Sequence, residues 1–306
     1  MRFRVRVPAA SGNLGSGFDS AGLALDLHNE AVADTETQGV LIDGQGVGHL
    51  PTDDRNHCVR AMRELAARTG RELPPVGLHL HNHIPVGRGL ASSGAAVIAG
   101  LMLANALLGE PCSRDDLIDI GTELEGHPDN VAAAMLGGAV VSVWDGVRVE
   151  AVRIEPPPEM SAVLWVPEVE LQTRRARAAL PDVVPLHDAV FNLSHAALFA
   201  AALATGQWDR LRTGAQDRLH QPYRAPLVAG LYEIMAVALD AGALASWLSG
   251  AGPCVLALCL GDTARVEEAV LDMGRRYAGN GAIMRLGIDL DGARIMRDST
   301  MATPTT

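Results

Sequence analysis

Pro85-Val-Gly-Arg-Gly-Leu-Ala-Ser-Ser-Gly-Ala-Ala96 is the stretch on which the reading of this chain turns. Its glycines let the backbone turn tightly and approach a ligand closely. Two serines then open a long apolar segment, 92–108, which reads as a helix with serine as its N-cap. The free N–H groups and dipole at a helix N-terminus make an anion site. An ordinary Gly-rich turn with a serine cap is the alternative that this loop alone leaves open. The uncharged run 89–109 is long enough to raise a transmembrane segment. It carries Ser92, Ser93, Gly94, Gly100 and Asn105, so a buried core helix is expected instead.

The composition around that loop narrows the chemistry. The chain has 306 residues, 48% hydrophobic and 20% charged, enough for one large or two ordinary domains. Lys+Arg is 25 against Asp+Glu 36, a net charge of -11, which makes a nucleic-acid partner a poor expectation. Every strong base is Arg, because the chain contains no lysine. That excludes Schiff-base and pyridoxal-phosphate chemistry and any site needing a Walker lysine. A bound phosphate must be neutralised by Arg, by backbone N–H groups or by a metal. The thiols Cys58, Cys112, Cys254 and Cys259 are scattered without a CxxC, as expected of buried thiols in a reducing cytoplasm. The opening MRFRVRVPAA has no apolar h-region, so neither a signal peptide nor a membrane anchor is expected.

Along the chain, 2–7 alternates Arg2, Phe3, Arg4, Val5, Arg6, Val7, a half-buried strand that Pro8 is expected to end. Helices are expected over 57–69, 92–108 and 117–124, a strand around Val76, Leu78 and Leu80, and a strand–turn–strand over 139–154. Pro156-Pro157-Pro158 is the strongest linker signal. Beyond it, strands are expected at 162–166, 245–248, 255–260 and 281–290. Helices are expected near 188–205, 207–219, 227–241 and 263–277, and the tail 299–306 is expected to fray. The picture is α+β, with two domains meeting near residue 156.

Four further elements bear chemistry. The loop 11–19 ends in Asp19, and its glycines fit a dinucleotide fingerprint only backwards. Glu123-Leu-Glu-Gly-His-Pro-Asp129-Asn130 gathers carboxylates at a helix end, where they hold Mg²⁺ or simply face solvent. His127 alone is weak evidence of a ligand. Ser249-Gly-Ala-Gly-Pro253 is a Gly-rich turn between apolar segments, a sign of close backbone approach. Thr173-Arg-Arg-Ala-Arg177 and Asp217-Arg-Leu-His-Gln-Pro-Tyr-Arg224 bring two basic clusters into an acidic chain, suited to clamping a carboxylate.

These elements in this order resemble the GHMP small-molecule kinases, and among them the homoserine kinase family. The family opening PATSANLGPGFD corresponds to Pro8-Ala-Ala-Ser-Gly-Asn-Leu-Gly-Ser-Gly-Phe-Asp19, and its P-x-x-x-G-L-G-S-S-x-A loop to 85–95. EGHPDNVAPALLGG corresponds to Glu125-Gly-His-Pro-Asp-Asn-Val-Ala-Ala-Ala-Met-Leu-Gly-Gly138, and LSGAGPSV to 248–255. The match covers about 4–295, and EGHPDN with DRLHQPYR is more specific than any Gly-rich loop. Ala10 and Gly12 depart from the opening, and Ala91-Ser-Ser-Gly94 replaces Gly-Ser-Ser-Ala. A left-handed backbone at Ala91 would carry strain.

The resemblance implies a two-domain GHMP kinase fold. Its N-terminal ATP-binding domain, 1–156, would be like domain 2 of ribosomal protein S5, and its C-terminal domain, 157–306, ferredoxin-like. It implies phosphorylation of the L-homoserine side-chain hydroxyl by ATP with Mg²⁺, in threonine biosynthesis, by a cytoplasmic protein that forms a homodimer. Another GHMP kinase of a small alcohol, or a non-catalytic regulator, is the alternative. ATP would lie on Pro85, Val86, Gly87, Arg88, Gly89, Leu90, Ala91, Ser92, Ser93, Gly94 and Ala95, with Asn56 touching the base. Ser93 and Glu123 would hold the metal, Glu123 being preferred to Glu125. Asp19 would take the substrate ammonium, Arg177 and Arg224 its carboxylate, and Asn13 and Asn130 its hydroxyl, with Thr173 assisting. Asn130 would position the reacting oxygen, and Asp129 is the nearby alternative as a base.

Overall fold

The alternating Arg2–Val7 stretch does form a strand in the computed structural model, which describes residues 1–296. The tail expected to fray lies outside them. Pro8 does not end that strand: β1 (Arg2–Gly12) continues past it, and its register with the next strand shifts between Pro8 and Ala9. Such an irregularity accommodates the missing N–H. β2 (Ala21–Asp34) was not expected from the sequence, because it is buried along most of its length and so lacks simple alternation. β3 (Val40–Gly44), α1 (His57–Thr69), β4 (Gly77–Asn82), α2 (Ser92–Leu107), α3 (Arg114–Glu125) and α4 (Asp129–Leu136) follow. β5 (Ala139–Trp144) and β6 (Val149–Ile154) form the expected strand–turn–strand.

These strands build a mostly antiparallel sheet of order β3-β4-β2-β1, with β5 also on β2 and β6 on β5; only β3 and β4 run parallel. α2 and α4 pack on β1 and β2, and α1 and α3 pack behind α2. α2 is buried along nearly its whole length, as expected of a core helix rather than a membrane span.

After the prolines come β7 (Met160–Pro167), α5 (Thr173–Ala178), α6 (Leu186–Thr205), α7 (Leu211–Gly214), α8 (Gln221–Arg224), α9 (Leu231–Asp240), β8 (Ala245–Leu248), β9 (Val255–Leu260), α10 (Ala264–Ala278) and β10 (Gly281–Gly287). The helix expected over 207–219 is reduced to a 3-10 turn and α7. Gly214 lies so close to Phe199 that a Cβ would come within 2.7 Å of its backbone. Asp217 then accepts from the N–H groups of Leu219, His220 and Gln221 and turns the chain. The second sheet has the order β10-β7-β9-β8. One of its faces, with Ala162, Leu164, Trp247 and Leu256, joins the main core; the other, with Val163, Trp165, Val255 and Ala257, packs with residues of α9 and α10. β11 (Arg294–Met296) returns to pair with β1, so the end of the described chain sits in the first sheet.

Candidate active site

The loop before α2 owes its shape to its glycines. Gly87 and Gly89 have positive φ, and a Cβ on Gly89 would lie 2.1 Å from the Ser249 carbonyl oxygen. Ser249 Oγ donates to that glycine's carbonyl at 2.8 Å, and the Leu171 N–H donates to Gly87 O. The turn 249–253 is therefore the wall against which the loop is cast. Serine is not the cap of α2: Ala91 occupies that position with φ 57, left-handed, and provides no side-chain cap. The first-turn N–H groups of a 16-residue apolar helix thus lack a side-chain acceptor, the condition under which a helix start binds an anion.

This loop forms one wall of a cleft of about 400 Å³. Asn13, Asp19, Asn56, Asp129, Asn130, Thr173, Arg177, Arg224 and residues 85–93 all line it, so elements from both sheets converge there. Gly94 and Ala95 are buried inside α2 behind the loop. Two of the lining residues are also held by protein partners. Asn56 caps α1: its Oδ1 accepts from the Cys58 N–H and its Nδ2 donates to Pro51 O, so both ends of the amide are engaged. Arg88 donates to the Val86 carbonyl within the loop and to the carbonyls of Pro167 and Glu168 across from it.

Glu123 is not beside Ser93. It forms a two-pronged ion pair with Arg68, at 2.7 and 3.0 Å, and the guanidinium lowers its pKa below the usual carboxylate range. The carboxylate that meets Ser93 is Glu125, whose Oε1 accepts from Ser93 Oγ at 2.8 Å. Two residues apart on a helix means about 200° of rotation, so the two carboxylates face opposite ways.

At the other end of the cleft, Arg177 binds Asp19 through both Nη atoms, at 2.8 and 2.9 Å, and this bond raises the Arg177 pKa. Asp19 has a left-handed backbone, fixed by its N–H donating to Asn13 Oδ1, while Asn13 Nδ2 donates to Gly250 O. Arg224 is only 2% exposed. Its donors reach the carbonyls of Gly250 and Ala176, and Nη1 lies 3.3 Å from His220 Nδ1; among the described residues no carboxylate pairs with it. Burial first, then the charge of Arg177, pushes its pKa down to about 10. Phe18 lies under both guanidiniums, 5.3 Å from Arg224 and 5.8 Å from Arg177, and stacks on His220. Sequence reading passed over Phe18 and His220, although both stand inside quoted motifs.

Asp129 and Asn130 open α4 beside Gly12. A Cβ on Gly12 would fall 2.2 Å from Asp129 Oδ2 and 2.9 Å from Asn130 Oδ1, so this departure from the opening motif makes room for the side chains of Asp129 and Asn130. His127, discounted in the sequence, lines the cleft and holds Asp129 at 2.5 Å. Burial would lower the His127 pKa, but the bond and charge of Asp129, with Asp19 adding, outweigh it and raise it. Asn130 Oδ1 is buried with no partner.

Known proteins resemble this chain in sequence and fold. The family model of the GHMP kinases N terminal domain matches residues 56–138, and that of the GHMP kinases C terminal matches 199–278. A homoserine kinase of Moorella thermoacetica is 46% identical over 87% of this chain and 90% of its own. One of Deinococcus radiodurans is 42% identical over 95% of each. The crystal structure of a homoserine kinase from Cytophaga hutchinsonii superposes with a TM-score of 0.86 at 28% identity, covering 96% of this chain and 97% of that one. Identity at that level over nearly the whole length, with both domain models in order, means that the chain belongs to the homoserine kinase family of the GHMP kinases.

Proposed function

We propose that this protein transfers the γ-phosphoryl group of ATP to the side-chain hydroxyl of L-homoserine, giving ADP and O-phospho-L-homoserine, a step of threonine biosynthesis. The observation that carries the reading is Arg224. A cation 2% exposed, without a carboxylate partner and facing a cleft, is costly unless the ligand supplies the anion. With Asp19 opposite, the pocket suits a zwitterion and not a neutral sugar.

The triphosphate is assigned to the 85–95 loop and the uncapped start of α2, whose N–H groups replace the absent lysine. Ser93 and Glu125 offer hard oxygens within hydrogen-bond distance of each other, a donor pair that fits Mg²⁺ completed by water and phosphate oxygens. When bound, Mg²⁺ supplies charge neutralisation on the phosphates. Asp19 takes the ammonium, and Arg224 and Arg177 take the carboxylate through charge-assisted bonds, with Thr173 and Asn13 also lining the cleft. Asn130, whose Oδ1 lacks a partner, accepts from the substrate hydroxyl and fixes it in line. A loose phosphoryl transition state asks for alignment more than for a strong base. Asp129, tied to His127 and wedged against Gly12, shapes the loop.

The ATP-binding unit is assigned to 1–156 and the second unit to 157–306, on the support of the two sheets, with β11 crossing back. The unpaired thiols Cys58, Cys112, Cys254 and Cys259 support a reducing cytoplasm. α6 is long and apolar enough to cross a membrane by length and composition alone. Its exposed Leu186, Val190 and Leu193 support instead a face for the homodimer. A coupled ADP-release assay across homoserine, mevalonate, galactose and shikimate tests the activity. Turnover confined to homoserine is expected, and equal or faster turnover of a neutral alcohol would overturn it.

A further inference from the structure

We infer that Asp43, His79 and His81 form a zinc-binding site on the open face of the first sheet, remote from the cleft. The strand pattern forces these residues together. Along β4, Leu78 and Leu80 turn into the core, so His79 and His81 both turn outward. β3 runs parallel beside it, with Leu41 opposite His79 and Asp43 opposite His81, and Ile42 pointing inward. The three outward residues therefore share one face of two hydrogen-bonded strands.

Their donors already converge. Asp43 Oδ2 lies 2.6 Å from His79 Nε2 and 3.4 Å from His81 Nδ1, and the three atoms are within 4.8 Å of one another. Ligands of a tetrahedral zinc, with bonds of about 2.0–2.1 Å, stand about 3.3 Å apart, so small side-chain rotations close the set. The imidazoles have centroids 3.8 Å apart with planes tilted by 44°, and are about one-third exposed, open to an ion from solvent. Glu30 of β2 is paired with His81 but faces Arg4 at 3.9 Å, so a water can complete the coordination. Two imidazoles and a carboxylate select zinc over magnesium.

Two other groups of His and Asp show what disqualifies a cluster. In Asp26–His28–Asp289, Arg6 donates to His28 Nδ1 at 2.8 Å. In Asp19–His127–Asp129, Arg177 already occupies Asp19. Among the described residues no guanidinium is bonded to Asp43, His79 or His81.

The test is Zn²⁺ titration of the full nucleotide-free chain by calorimetry, with Co²⁺ absorption as a reporter of four-coordinate geometry. One Zn²⁺ per chain is expected. His79→Gln and His81→Gln should each weaken it by at least about 10-fold, and Asp43→Asn comparably. Glu125→Gln, which alters the cleft, should leave this binding unchanged. Zn²⁺ should raise the melting temperature of the wild type and not of the His variants, whose metal-free melting should match the wild type. Absence of Zn²⁺ binding, or binding that survives both His substitutions while Glu125→Gln removes it, would overturn the site.

Discussion

Arg224→Met separates the stability of this protein from its proposed substrate recognition. The Arg224 pKa, pushed down to about 10, means that the folded state binds its proton less well than the unfolded state. At about 1.4 kcal/mol per pK unit, that is a cost of about 3 kcal/mol. The sign follows from linkage: the cost is full below about pH 10 and fades as pH rises toward the unfolded value. Methionine keeps much of the buried bulk but leaves the Ala176 carbonyl without the Arg224 donor, about 1 kcal/mol, while Gly250 O keeps its bond from Asn13 Nδ2. The balance predicts a variant more stable than the wild type by roughly 2 kcal/mol at neutral pH. The same variant loses a charge-assisted bond to the substrate, at least about 1.5 kcal/mol, so KM for homoserine should rise at least about 10-fold. Urea unfolding without substrate reads the first quantity and steady-state kinetics the second. A ligand-free variant less stable by more than about 2 kcal/mol would refute the burial argument. An unchanged KM would refute the clamp.

Glu125→Gln should raise the half-saturating Mg²⁺ at least about 10-fold in kinase assays, whereas Glu123→Gln removes only an exposed ion pair worth up to about 1 kcal/mol. Ala91→Gly should relieve a left-handed alanine and raise stability by up to about 1 kcal/mol in thermal melts; a clear loss would mean that Ala91 is not strained. Asp129→Asn should lower kcat by less than the roughly 10²-fold expected on losing a general base, and leave the acidic limb of the pH–rate profile unchanged. A larger fall with loss of that limb would restore Asp129 as the base.

The sequence showed the helices with one apolar face, and the loops whose glycines are placed by chemistry. α1 agrees with its expected 57–69 span, and α2 differs from 92–108 by one residue. β2 escaped because core on both sides erases the two-residue rhythm, and β3 because five residues at a sheet edge carry little pattern. The site's membership was legible, but not its orientation. Nothing local distinguishes Glu123 from Glu125; the difference is that α1 brings Arg68 to one and α2 brings Ser93 to the other. The direction of Arg88 depends likewise on carbonyls some 80 residues away, at the end of β7.

The bond between Arg177 and Asp19 turns ligand entry into an exchange of partners. The two groups neutralise each other through two short contacts. Under the proposed assignment, an incoming amino acid must part them, offering its ammonium to one and its carboxylate to the other, so the number of ion pairs rises while net charge is conserved. A simple amine or a simple acid parts them and leaves one member stranded. Discrimination against such half-matched molecules should therefore exceed what either missing bond is worth alone, and removing both residues together should cost less selectivity than the two single changes summed.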